Sequence, residues 1–470
     1  MSTWFQYGFN WLFSEFLTRL GFLLALVLMA FLLRERRSPS STIAWLLVIL
    51  LLPYVGVPLY IMFGGRKIRR MALKKKPIYH PAIGPHGGGP HDNVERLLDS
   101  YGVPPASAGN MVELITSGVD AYERVMRLIE EARSTIHVTT YILGRDEGSR
   151  ALVDLMTRRA AEGVAVRLLL DDVGSWRVRR RHLAPLINAG AQVAYFMPML
   201  HIPFRGRANL RNHRKVVVVD SHVAVAGGMN LAWPYIGPSS SVGLWRDLCM
   251  VVEGPAVSEL ETLFASDWRF TTGQDPPMAG PPGPDPGLSR MESSVVQVVA
   301  SGPDVAGDPL YESLLALIFG ARDRIWIVTP YYVPDEMLAR ALSLAARRGV
   351  DVRVMVPARS NHVTADLARA GYLRDLYEAG GRILLYTPVM LHAKAVVFDD
   401  EIAIIGSANM DMRSLFLNYE VALYVSSPAQ VGEVADWARS LMVDSRLELP
   451  ALGWARELSE NIVRLLSPLL

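Results

Sequence analysis

Two segments of this chain carry the same triplet, a histidine followed by a lysine two residues on and an aspartate seven residues on. They are His213, Lys215 and Asp220 in HRKVVVVD, and His392, Lys394 and Asp399 in HAKAVVFD. Any fold that accommodates them must build the same local structure twice. Lysine usage sharpens the point, because the chain has six lysines against 42 arginines. Four of the six, Lys67 and Lys74 to Lys76, lie in one basic run, and the other two are Lys215 and Lys394. Arginine is a broad planar fork and lysine a compact point charge on a flexible stem. A chain that otherwise uses arginine keeps lysine where only an ammonium fits.

The surroundings repeat as well. Asn230 in AGGMN and Asn409 in IGSAN each lie 17 residues after their histidine, and both motifs are β-branched runs broken by glycine. The pattern predicts strand, turn, strand, with histidine and lysine on one face because residues two apart share a side of a strand. Upstream, AYERVMRLIEEARSTIHVTTY from Ala121 parallels LYESLLALIFGARDRIWIVTP from Leu310, each an amphipathic helix leading into a buried strand. AAEGVAVRLLLDD from Ala160 and AARRGVDVRVMVPA from Ala345 repeat a helix, a glycine and an apolar strand. The offset is 189 residues at Tyr122 and Tyr311 and 179 at the histidines. One α/β domain has been duplicated with changes in loop length, and each copy holds half of a symmetric site.

The paired His-x-Lys-x4-Asp motif resembles the signature of the phospholipase D superfamily. NHRKVVVVDSHVAVAGGMN with the later WRDLCMVVEGPAV, and LHAKAVVFDDEIAIIGSANMDMRSLFLNYE, are similar to the bacterial cardiolipin synthase branch, as is TIAWLLVILLLPYVGVPLYIMFGG. The resemblance runs from about Ser41 to Leu470. It implies two phospholipase D-like α/β lobes in tandem forming one shared active site, preceded by an N-terminal transmembrane helical hairpin. The expected organisation is a membrane hairpin with a basic flank over 1–76, a linker over 77–109, lobe 1 over 110–272, a Pro/Gly linker over 273–287 and lobe 2 over 288–470.

Half of the residues are hydrophobic, and membrane segments account for the excess. From Ile43 to Phe63 runs a stretch of 21 residues without charge. At 1.5 Å per residue it is long enough to cross a hydrocarbon core of about 30 Å. Leu20 to Leu33 is shorter, and extending it to Trp11 takes in Glu15 and Arg19, which near an end can snorkel to the interface. Three arginines, Arg34, Arg36 and Arg37, lie between the two segments, whereas GGRKIRRMALKKK after the second holds seven positive residues. The larger cluster is expected to stay in the cytoplasm with the catalytic region, giving a multi-pass inner-membrane protein with both termini inside. The same cluster reads as a stop-transfer flank that also attracts anionic headgroups. A single cysteine, Cys249, excludes an intrachain disulfide.

HPAIGPHGGGPH reads as solvated linker, since His80, His86 and His91 match no usual metal spacing. Two basic clusters flank the first motif: RVRRRH from Arg177 reads as a solvated loop, and FRGRANLRNHRK, which enters the motif directly, as headgroup contact. At the C-terminus, Trp454, Leu458, Ile462, Leu465 and Leu469 form a helical stripe suited to core packing.

Two histidines and two lysines supply what displacement at a phosphodiester needs. One imidazole attacks phosphorus, the other protonates the departing alcohol and later deprotonates the incoming one, and the lysines neutralise the non-bridging oxygens. No metal or cofactor is required. By strand geometry Asp220 and Asp399 sit too far along for the same imidazole and read as turn residues. The resemblance implies that Asp247 and Glu420 orient the rings and that Asn230 and Asn409, with Ser407, support the phosphate. It further implies that phosphatidylglycerol is both donor and acceptor, giving cardiolipin and glycerol, at a lipid bilayer and without nucleic acid. A phospholipase D making phosphatidic acid, a tethered nuclease and a catalytically dead lipid-binding scaffold are the competing readings. A scaffold is expected to lose a motif residue and a nuclease to be strongly basic, whereas both motifs are intact and the net charge is +2.

Overall fold

The computed structural model describes residues 26–30, 32, 39–52, 54, 56, 57, 60, 75–80, 92–198, 210–239, 243–280, 293–447 and 460. In the first half, β1 (Ser107–Ile115), β2 (Thr135–Thr140), β3 (Ala165–Asp171), β4 (Gln192–Phe196), β5 (Val216–Val219), β6 (Val223–Gly227) and β7 (Cys249–Glu253) lie in the order β4-β3-β2-β5-β6-β7-β1. In the second half, β8 (Ser294–Ser301), β9 (Arg324–Val328), β11 (Asp351–Pro357), β12 (Arg382–Tyr386), β13 (Ala395–Phe398), β14 (Ile402–Gly406) and β16 (Glu420–Val425) repeat it as β12-β11-β9-β13-β14-β16-β8. Antiparallel pairing of β1 with β8 joins the halves into one sheet of fifteen strands, counting β17 (Ser445–Arg446) at one edge. A short pair, β10 (Tyr332–Val333) with β15 (Met410–Asp411), lies apart.

Within each half three strands are parallel and four antiparallel. The parallel strands are covered by helices on both faces, which is why they read as unbroken apolar runs. The helices that precede β2 and β9, Gly118–Glu131 and Pro309–Gly320, bury the same positions. Ala121, Tyr122, Val125, Leu128 and Ile129 in one correspond to Leu310, Tyr311, Leu314, Leu317 and Ile318 in the other. Both motifs form strand, turn, strand. β5 and β13 are buried at every residue, and the turns at Asp220 and Asp399 have φ of 53° and 49°.

Two expectations need correction. The span expected to be a linker, 77–109, contains a helix, Asp92–Ser100, whose Val94 and Leu98 are buried in the core. Tyr79 is buried too, its hydroxyl accepting from Ala300 N at 2.8 Å, and a Cβ on Gly102 (φ +75°) would meet His80 O at 2.0 Å. The glycines and prolines between these residues hid a short apolar periodicity. Second, Lys75 is not a headgroup-facing flank. It is buried, paired with Asp267 and, at 2.6 Å, with Asp304.

Near the N-terminus, the helix Pro39–Leu51 packs Trp45 and Ile49 against Leu32, Val57 and Tyr60, with the Trp45 and Tyr60 rings edge to face at 5.3 Å. Its outer face leaves Ile43, Leu47, Leu50 and Leu51 exposed. Among the described residues no helix is long and apolar enough to cross a membrane. Most of the first apolar segment, the basic run from Arg66 to Lys74, His86, His91, part of the second linker and the C-terminal stripe lie outside the described residues.

Candidate active site

The two motifs meet through the backbone. Ahead of β5, His213 N donates to Tyr419 O at 2.9 Å and Tyr419 N to Arg211 O at 2.9 Å. Ahead of β13, His392 N donates to Arg246 O at 2.7 Å and Arg246 N to Met390 O at 2.8 Å. Each histidine segment is thus paired with a segment of the other lobe. Because Asp247 follows Arg246 and Glu420 follows Tyr419, the acids cross over as well. His213 Nδ1 lies 3.0 Å from the Glu420 carboxylate, and His392 Nδ1 lies 2.6 Å from Asp247 Oδ2. With Nδ1–H donating to the carboxylate, Nε2 keeps its lone pair for the site.

Burial governs the charges. His213 is pushed below the usual imidazole range by burial, with Glu420 opposing and Lys215 adding to the shift. His392 is pushed down to about 3, by burial and then by Lys394, against Asp247. Lys215 falls to about 7 through burial, opposed by Glu420 and reinforced by Lys394. Lys394 falls to about 8, again through burial, with Asp247 and Glu420 opposing. Burial alone would neutralise the two acids. Lys394 and His392 hold Asp247 below its ordinary value, and His213 and Lys215 do the same for Glu420. At neutral pH the site therefore contains two neutral imidazoles, two carboxylates and two ammonium groups close to losing a proton, an arrangement ready to receive an anion.

Lys215 Nζ donates to His213 O at 2.7 Å, and Lys394 donates to His392 O, its Nζ also lying 3.2 Å from His392 Nε2. Asn230 Oδ1 accepts from Ile142 N at 3.1 Å, and its side chain also hydrogen-bonds Tyr235 beside His392. Asn409 is buried alongside the second motif. Ser407 turns to Glu420, donating to the carboxylate, so it acts on His213 through that acid. The matching position in the first copy is Gly228, where a Cβ would meet Asp247 Oδ1 at 2.2 Å. Glycine leaves room for the aspartate, and serine holds the glutamate.

The motif aspartates stand elsewhere. Asp220 accepts from Arg133 N, Ser134 N and Thr135 N at 2.7 to 2.8 Å, and Asp399 accepts from Arg322 N, Asp323 N and Arg324 N at 2.8 to 3.0 Å. Both sit at the far end of the strand from the histidine and tie the turn to the start of the neighbouring strand. They belong to the signature, and their contacts are those of turn residues, away from the imidazoles.

Several residues at the site had no sequence signal. Tyr141 sets its ring edge to face with His213 at 4.9 Å and beneath Lys215 at 5.6 Å. Tyr235 and Trp245 wall His392, at 4.8 and 5.5 Å between ring centroids. Behind His213, Asp171 accepts from Asn212 N at 2.9 Å and from Arg211 Nη1 at 3.3 Å, and Asp267 takes Arg214 Nη1 at 2.8 Å with Asn212 Nδ2 at 2.9 Å. Arg211 and Arg214 thus face inward, against the headgroup contact expected for their cluster, whose residues 204–209 lie outside the described residues. Lys75 lies over the Tyr419 ring at 4.9 Å and completes this buried network. These partners are spread across 345 positions, from 75 to 419, and no local pattern links them.

Comparison with known proteins gives a consistent picture. A family model described as cardiolipin synthase, phospholipase D-like domain, matches residues 125–268 and 314–442, and a phospholipase D-nuclease N-terminal model matches 22–65. Cardiolipin synthase 1 of Bacillus anthracis is 34% identical over 469 residues, covering 93% of this chain and 90% of its own. Cardiolipin synthase of Alkalihalophilus pseudofirmus is 33% identical over 456 residues with the same coverage. Among solved structures, phosphatidylserine synthase of Haemophilus influenzae superposes with a TM-score of 0.62 at 16% identity, covering 80% of this chain and 97% of its own, a likeness of fold.

Proposed function

The chain belongs to the cardiolipin synthase family of phospholipase D-like proteins, and from that premise we propose that it transfers a phosphatidyl group from one phosphatidylglycerol to another, releasing glycerol. The crossed pairing of His213 with Glu420 and His392 with Asp247 carries this reading, because it yields two imidazoles of fixed tautomer facing one anion site. In the first step Nε2 of His213 forms a bond to phosphorus, the bond to the glycerol oxygen breaks, and that oxygen takes a proton from His392. In the second, the terminal hydroxyl of another phosphatidylglycerol gives its proton to His392 and attacks phosphorus, freeing His213. One phosphodiester replaces another, so no nucleotide is consumed. His213 is the better nucleophile, its side chain being 12% exposed against 5% for His392 behind Tyr235 and Trp245.

His392 has to gain a proton before it can give one. A bound diester brings negative charge beside it, which raises its affinity for a proton. Lys215 and Lys394 take the non-bridging oxygens. The apolar residues exposed on Pro39–Leu51 and the uncharged run to Phe63 support a membrane anchor, with the basic flank on the cytoplasmic side. Full-length protein incubated with phosphatidylglycerol vesicles is expected to release glycerol and cardiolipin in equal amounts. Phosphatidic acid as the main product would make it a hydrolase.

A further inference from the structure

Trp176 and Trp233, 57% and 53% exposed, are the two tryptophans more than half exposed among the described residues, and both lie on loops that adjoin the site residues Tyr141 and Asn230. Trp176 follows β3, in the loop after Asp171, and Trp233 lies three residues past Asn230. Hydrogen bonds join their loops into one rim. Ser175 Oγ donates to Tyr141 O at 2.9 Å and accepts from Leu143 N at 3.0 Å. Gly144 N donates to Leu231 O at 3.2 Å, and Trp233 N to Asp146 Oδ2 at 3.2 Å. The inner wall of this rim is Tyr141, against His213.

The outer side is basic. Arg177, Arg179 and Arg181 are exposed beside Trp176, and the Arg177 guanidinium lies over its ring at 5.2 Å. Arg145 is exposed on the adjoining loop, and Asp172 is already paired with Arg179 at 3.2 Å. The second lobe exposes Val389, three residues before His392. Indole rings among arginines suit the headgroup level of a bilayer, where an apolar body and a polar edge are both satisfied and cations meet phosphate.

We propose that this rim docks on an anionic bilayer surface, Trp176 and Trp233 entering the headgroup layer while Arg177, Arg179 and Arg181 meet lipid phosphates. The arginine cluster that reads in sequence as a solvated loop is then a lipid contact, and the site opens onto the leaflet that supplies substrate. The proposal rests on the lipid-transfer reading of the site and is separable from it by experiment.

The full-length protein with Trp176→Cys, labelled with a fluorophore and reconstituted in phosphatidylcholine vesicles with or without phosphatidylglycerol, reads the contact without turnover. Cys249 is buried and stays unlabelled. Nitroxide lipids are expected to quench this label several-fold more than one at Leu344→Cys, on the helix Glu336–Arg347, and more strongly when phosphatidylglycerol is present. In parallel, the Trp176→Ala/Trp233→Ala double variant is expected to raise the apparent KM on vesicles several-fold while leaving turnover of dispersed short-chain phosphatidylglycerol unchanged. Equal access of aqueous iodide to both labels with no lipid quenching, or equal loss on both substrate forms, overturns the docking. Quenching in a protein that makes no cardiolipin would instead overturn the function and spare the rim.

Discussion

Two lysines, each 4% exposed and each donating to a backbone carbonyl of its own motif, fix the electrostatics of the site. Lys215→Arg and Lys394→Arg keep the charge but put a planar fork where a single ammonium is packed against a ring, and each is expected to lower kcat at least about tenfold. Full activity in both would reduce the lysine pattern to accident. The pH profile follows from the same burial. With folded pKa values of about 7 and 8, the two lysines are charged in mild acid and lose their protons as pH rises through that window. The histidines, shifted downward, impose no loss near the ordinary imidazole value. On a dispersed substrate kcat/KM is therefore expected to fall more steeply above about pH 7 to 8, as the lysines lose their protons, while kcat, which reports the complex with an anion already bound, shows that break at higher pH. An alkaline limb at the same pH in both parameters contradicts the assignment.

At the scale of strands and turns, the signature aspartates separate motif from mechanism. Asp220 serves three backbone N–H groups at the strand end remote from His213. Asp220→Ala is expected to lower stability by about 1–3 kcal/mol in thermal unfolding and to leave kcat within a few-fold of wild type. A loss of turnover without loss of stability would return Asp220 to the chemistry. Its turn role was legible beforehand, because a residue seven positions from a histidine on one extended strand cannot reach the same ring. The duplicated helix-strand units were legible for a similar reason, since Tyr122 and Tyr311 fall at equivalent points of two apolar periodicities. Which acid serves which histidine was not. That depends on two backbone bridges between lobes, Asn212 with Tyr419 and Arg246 with Leu391, and strand periodicity says nothing about them. The helix Asp92–Ser100 was missed because its apolar residues are few and the glycines and prolines before it dominate the composition.

For the whole molecule, the network of Lys75, Arg214, Asp267 and Asp304 ties the end of the basic run to both lobes directly behind His213. Lys75→Met leaves two buried aspartates sharing one arginine, and is expected to cost on the order of 3–5 kcal/mol, read as a lower melting temperature. Adding Asp304→Asn removes the surplus charge and is expected to recover much of that loss, which simple misfolding would not allow. The lobes are equally interdependent in catalysis, since each supplies the acid for the other's histidine. His213→Ala and His392→Ala are each expected to reduce turnover by about 10²–10⁴ or more, with the double variant no worse than the weaker single. The most direct test follows the covalent intermediate. In the His392→Ala protein, a phosphatidyl ester with an activated leaving group needs no proton, so an adduct is expected to accumulate on His213 and to be located there by mass spectrometry. Adding Glu420→Gln is expected to slow its formation at least about tenfold, and adding Asp247→Asn is expected to leave it nearly unchanged. An adduct absent from His213, or one slowed by Asp247→Asn and not by Glu420→Gln, would contradict the crossed site.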